Sequence, residues 1–199
     1  MIVEQAAERD GDHCFNSAPI VSAAGVVATY RKTHLWWKAT GARHEPDFFR
    51  PGDRLVTFDV KGHRCGIMIC YDEDFPEMTR SYANLGCAVL FWMNNRGSRG
   101  RAEVKDLAYR NSMIIAASCC CGPNEAGAEC RGGSNITDAD GKLLCEIWDR
   151  EGVIQAEVHP ERALEMRATN PWFRGQRPDI YYYGTPPGEG AGPAEASGP

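Results

Sequence analysis

The chain has 199 residues, of which 43% are hydrophobic and 25% charged, and its formal net charge is −5. That length and apolar share suffice for one sizeable buried core, while the acidic balance excludes general affinity for nucleic acid or anionic membranes. No apolar run approaches the roughly 18 residues that span a bilayer, and the N-terminus lacks the charged-then-apolar layout of a signal peptide.

In chain order, strands and helices alternate. Residues 13–22 and 26–33 are predicted to form a hairpin around Ala23-Ala24-Gly25, and residues 55–60 and 64–70 a second one around Lys61-Gly62. A helix is predicted from about Pro76 to Leu85, closed by Gly86. Residues 87–94 read as a fully buried strand, 101–112 as an amphipathic helix and 113–121 as another buried strand. A hairpin over 134–147 turns at Asp138–Gly141, the alternation of 152–160 predicts a further strand, and a short helix follows over 161–168. From Gly184 the composition collapses into Gly, Pro, Ala and Glu. One domain over 1–183 and a disordered tail over 184–199 are therefore expected.

The chemistry concentrates in GIMICYDEDFPE, residues 66–77. An apolar strand runs into Cys70, and Pro76 and Glu77 then open a helix, which is the layout of a nucleophile elbow. Most strand-end cysteines simply fill space. A second strand, however, ends in Arg31, Lys32 and His34, and a lysine beside a thiol lowers its pKa and offers a donor to an oxyanion. Met93 to Arg96 lie at the close of the 87–94 strand, where it should end near the site. Asn94, Asn95 and Arg96 are thus candidate substrate contacts, Arg96 through a carboxylate.

Other clusters carry less. The nine cysteines, an odd number mainly inside apolar runs, are not a disulfide framework, so a reducing cytoplasm is expected. Cys119, Cys120 and Cys121 are adjacent, and adjacent residues on a strand point to alternating faces, so they cannot converge with Cys130 on one metal ion. His44-Glu45 fails as a zinc-protease motif, because Phe48 stands where the second histidine is needed and Pro46 disfavours the helix. The basic stretch 96–101 has no interleaved aromatics and reads as a solvated loop.

The blocks ERDGDHCFNSAPIVSAAG (8–25), YRKTHL (30–35), HEPDFFRPGD (44–53), GIMICYDEDFPE (66–77), LAYRNSMIIAAS (107–118), GGSNITDADGKLL (132–144) and RPDIYYY (177–183), in that order, resemble the nitrilase superfamily of carbon–nitrogen hydrolases. The resemblance implies an α/β fold, the family's four-layer αββα sandwich. It also implies hydrolysis of a small amide or carbamoyl compound through a cysteine thioester, with neither cofactor nor metal. The acidic residues after Cys70 favour the amidase-like branches.

The family's triad is Glu, Lys and Cys. The resemblance places the lysine at Lys32 and the cysteine at Cys70, with the backbone N–H of Tyr71 as a second oxyanion donor, and Glu45 matches a further glutamate that supports the lysine. The triad glutamate normally stands ahead of the ERDG block; Glu4 and Glu8 are the only acids upstream of position 10 and neither matches, and Glu8, which opens the ERDG block, is expected to be structural. The expectation is therefore an N-terminally truncated sandwich that forms homo-oligomers, its segment 172–183 packed on a neighbouring subunit. The alternative is a catalytically dead homologue serving as an assembly or regulatory subunit. Arg110 stands before Asn111 where many relatives carry glutamate, which removes any family salt bridge there.

Overall fold

The computed structural model describes residues 1–37, 44–94, 101–123 and 129–181. The first sheet is antiparallel and contains β1 (Ile2–Val3), β2 (Ala6–Asp10), β3 (His13–Ser22) and β4 (Gly25–Arg31). β3 is its spine: Ser17 pairs with Ala6 on one side and Arg31 on the other, and Ile20 with Val3 and Ala28.

The second sheet has the order β11-β10-β8-β7-β6-β5, with β9 alongside β10. Its strands are β5 (Thr57–Val60), β6 (His63–Ile69), β7 (Val89–Asn94), β8 (Ile114–Cys119), β9 (Cys121–Pro123), β10 (Glu129–Thr137) and β11 (Leu143–Trp148). β6, β7 and β8 are parallel, and the crossovers between them are α1 (Pro76–Asn84) and α2 (Arg101–Asn111). Parallel strands are covered on both faces, which is why these segments read as continuous apolar runs; Ile67, Met68, Ile69, Leu90, Ile114 and Ile115 are fully buried.

α1 begins at Pro76, whose missing N–H costs nothing in a first turn, and ends before Gly86, which takes φ +86°. The helix lies close on β6 because Gly66 has no side chain. A Cβ there would stand 2.5 Å from the Tyr82 ring, and the Tyr82 hydroxyl instead donates to the Ile67 carbonyl at 2.6 Å. α3 (Pro160–Thr169) and α4 (Pro171–Arg174) complete the helices. The two sheets share one core, in which Ala18, Ile20 and Tyr30 of the first join Ile67, Ile69 and Trp92 of the second. Among the described residues no helix is long and apolar enough to cross a membrane.

Both predicted hairpins of the N-terminal half, both crossover helices and the buried strands between them are present. Three details differ. Residues 152–159 form no strand: Val153 is 95% exposed, and the segment alternates because an extended chain on a surface presents its residues by turns to core and solvent. The predicted 113–121 strand breaks at Cys120, where the Cys120 N–H turns to the Asn94 carbonyl at 3.1 Å. β2 was not expected, since AAERD is polar and lies at the sheet's edge. The 184–199 tail lies outside the described residues.

This topology sets the carboxyl ends of β6, β7 and β8, marked by Ile69, Asn94 and Cys119, along one edge of the second sheet. In open α/β sheets that edge is where ligands bind.

Candidate active site

Lys32 follows the last residue of β4 and is 1% exposed. Its N–H donates to the Asn16 carbonyl and its carbonyl accepts from the Gly52 N–H, each at 2.8 Å. Gly52 is required for that approach, as a Cβ would fall 2.1 Å from the Arg31 oxygen. A buried ammonium is costly unless it is paired, and Nζ of Lys32 meets Oε2 of Glu45 at 2.5 Å.

Glu45 opens a short turn, Glu45–Asp47. Its Oε2 also accepts from the Trp36 N–H at 2.5 Å, and its Oε1 accepts from Asn16 Nδ2 at 2.9 Å. Gln5 in turn donates to Asn16 Oδ1 at 2.9 Å. Both carboxylate oxygens thus accept from neighbouring donors.

Cys70 starts a tight turn, Cys70–Asp74, directly after β6, and takes φ +47°. A non-glycine residue in that region costs about 1–3 kcal/mol and persists only where its surroundings over-determine it. Here the Cys70 carbonyl accepts from Trp92 Nε1 at 3.2 Å, and the preceding N–H, of Ile69, donates to Oδ2 of Asp72 at 2.8 Å.

Asp72 is fully buried and gathers far more than its own turn. Its Oδ2 accepts from the Tyr30 hydroxyl at 2.7 Å; its Oδ1 accepts from the His34 N–H at 3.0 Å and the Thr33 hydroxyl at 3.2 Å, and lies 3.0 Å from His34 Nδ1. Burial, and then the Asp72 charge, raise the Tyr30 pKa well above its ordinary value, which keeps the phenol a donor. The sequence reading missed this residue. Its only local mark was an acid two positions after a strand-end cysteine, which does not tell a buried acceptor from a solvated acid.

The remaining candidates fall around this pair of segments. The Tyr71 ring meets Phe75 edge-on, with centroids 5.3 Å apart, and Phe75 stacks on His34 at 3.8 Å. Asn94, 4% exposed at the end of β7, donates to Sγ of Cys119 at 3.5 Å. Burial pushes the Cys119 thiol up to about 11, against the Asn94 hydrogen bond and with the Cys70 sulfur adding to the rise. Asn95 and Arg96 lie outside the described residues. Trp37 is largely exposed and stacks on His44. Glu8 accepts from Ser17 Oγ and Arg31 Nε, holding β2, β3 and β4 together, and Arg31 is the main cause of its lowered pKa.

A cavity of about 570 Å³ opens beside these segments, lined among others by Gln5, Asn16, Met93, Asn94 and Cys119. Its size is that of a small-molecule site. One wall is the asparagine that holds Glu45 and another is the Asn94–Cys119 pair. Among the described residues no group of His, Cys, Asp and Glu is arranged to hold a metal ion.

Residues 1–168 match the carbon–nitrogen hydrolase family. The chain belongs to that family. It is 34% identical over 167 residues to an (R)-stereoselective amidase of Pseudomonas sp, covering 82% of this chain and 59% of the amidase. It is 29% identical to the 2-oxoglutaramate amidase of Bacillus subtilis, with 91% and 70% covered. Among solved structures, a branch 10 nitrilase-superfamily protein of Saccharomyces cerevisiae superposes with a TM-score of 0.72 at 26% identity, over 84% of this chain and 62% of that one. A carbon–nitrogen hydrolase superfamily protein of Xanthomonas campestris reaches a TM-score of 0.78 at 21% identity, over 88% and 68%. The fold is therefore the nitrilase-type α/β sandwich. The chain spans 59% of the Pseudomonas amidase and 62% of the yeast protein.

Proposed function

We propose that this chain carries the cysteine–lysine half of an amidase-like carbon–nitrogen hydrolase site acting on a small amide or carbamoyl compound. The observation that carries the reading is the joining of two segments. A buried, carboxylate-paired lysine ends one strand, a cysteine at positive φ ends another, and the segments bearing them share hydrogen bonds. Amide hydrolysis by the Pseudomonas and Bacillus relatives supports the substrate class.

In this reading the Cys70 sulfur attacks the amide carbon and the carbonyl π pair moves to oxygen, where the Lys32 ammonium and the Tyr71 N–H receive the charge. Collapse breaks the C–N bond, and the nitrogen leaves as ammonia or an amine carrying the proton that began on the thiol. Water then adds to the thioester, giving the acid and restoring the thiol. Glu45 positions Lys32, and Asn94 contacts the substrate. The reading extends to a reducing compartment, where the chain's cysteines stay free. It also extends to homo-oligomers formed through the C-terminal segment, in which Trp172 and Ile180 are exposed apolar residues.

A second reading, a non-hydrolysing assembly or regulatory subunit, draws on the commitment of both Glu45 oxygens to Lys32, Asn16 and Trp36, which ties up most of that carboxylate's acceptor capacity in orienting neighbours. One experiment separates the two. The chain is incubated with a panel of small amides, ammonia is assayed, and intact mass is recorded after acid quench. Ammonia release, or an acyl adduct on Cys70 that Cys70→Ala abolishes, supports the hydrolase; neither product from any amide favours the subunit reading.

A further inference from the structure

We infer that Asp72 is a positioning residue for the cysteine–lysine pair, fixing the turn that carries Cys70 to the strand end that carries Lys32. The inference rests on the reading of those two residues given above. A purely local role, capping its own turn, is satisfied by the Ile69 N–H alone. The other donors come from Tyr30, Thr33 and His34, which bracket Lys32 on both sides and stand some 40 positions away in sequence. A single buried carboxylate therefore gathers the residues on either side of Lys32 to the residue preceding Cys70.

The distribution of donors makes the site specific for a carboxylate. Oδ2 receives Tyr30 and Ile69, and Oδ1 receives Thr33 and the His34 N–H. An asparagine in either flip would turn its NH₂ on two N–H or O–H donors, losing those bonds and opposing the donors that remain. Glutamate keeps the charge but adds a methylene where there is no exposed surface to take it up.

The test reads Cys70 itself, and so does not depend on turnover. Alkylation of Cys70 by iodoacetamide is followed by peptide mass spectrometry from pH 6 to pH 10, in the unmodified chain and in Asp72→Asn. Deleting a nearby negative charge would by itself favour the thiolate and speed alkylation at neutral pH. Loss of positioning acts in the opposite sense, because the turn that carries the sulfur is no longer held to the strand end that carries Lys32, and a fall of about tenfold in the alkylation rate is expected. Tyr30→Phe and Thr33→Val each remove one donor while keeping shape, and smaller falls of about two- to threefold are expected; they serve also if Asp72→Asn does not fold. Lys32→Met separates the layers of the argument. A profile that falls in Lys32→Met but is unchanged or accelerated in the Asp72, Tyr30 and Thr33 variants overturns the role of Asp72 alone. A profile indifferent to Lys32→Met removes the cysteine–lysine reading beneath it.

Discussion

At the amino ends of β7 and β8 the buried guanidinium of Arg167 donates to four carbonyl oxygens, those of Ala83, Cys87, Asn111 and Ser112. At the carboxyl end of β6 the buried carboxylate of Asp72 accepts from backbone and side-chain donors of Tyr30, Thr33, His34 and Ile69. Each ion is desolvated and each makes at least four hydrogen bonds, yet their partners differ in kind. Arg167 touches the last carbonyls of two crossover helices and the links to the next strands, where the chain leaves acceptors without helical partners and the helix dipoles favour a cation. Asp72 touches groups that flank a candidate nucleophile and a candidate oxyanion donor. One end of the parallel strands closes the frame, and at the other a buried carboxylate ties the segment of Lys32 to the turn of Cys70.

The strongest way to break that contrast is Arg167→Met. It strips the donors from four buried carbonyls and should cost about 3–5 kcal/mol in denaturant unfolding, while the alkylation profile of Cys70 in the folded protein stays as it was. A shifted profile would mean that the two ends are not separable. Glu45→Gln comes next. It leaves the Lys32 ammonium, 1% exposed, without its counter-charge, and because Glu45 is itself partly exposed the expected loss is about 2–3 kcal/mol. In contrast to Arg167→Met, it should also slow any amide turnover through kcat. Trp92→Phe sharpens the contrast on a finer scale. It deletes the indole donor to the Cys70 carbonyl, with an expected cost of about 1–2 kcal/mol including the small void, and it should alter Cys70 labelling although residue 92 is remote in sequence.

What the sequence disclosed follows the same division between local and non-local causes. The Cys70 turn was legible because its ingredients are consecutive: an apolar strand, a cysteine, acids, then Pro76 and Glu77. Lys32 was legible as a cation at the end of an alternating strand, and its companion Glu45 came only through the family resemblance, since thirteen positions and a turn separate them. Asp72 was invisible as a hub because its partners lie about forty positions upstream, and nothing local distinguishes an acid that receives them from one that faces solvent. β2 escaped because an exposed edge strand needs no apolar pattern, and residues 152–159 misled because extended chain alternates whether or not a neighbouring strand pairs with it.

The smallest effect tests the frame end through pH. Cys65 enters β6 and Cys87 precedes β7; burial pushes their thiols up to about 11 and about 12, from an ordinary value near 9. The unfolded chain therefore releases thiol protons at lower pH than the folded one, so this part of the stability is complete below about pH 9 and drains away as pH rises toward the folded values. Melting temperature should fall between pH 8 and pH 10. In Cys87→Ala, whatever the offset from the lost sulfur, that fall should be shallower, because one of the protons that distinguishes the two states is gone. An alkaline fall as steep in Cys87→Ala as in the unmodified chain would show that the alkaline limb does not arise at the frame end of the sheet.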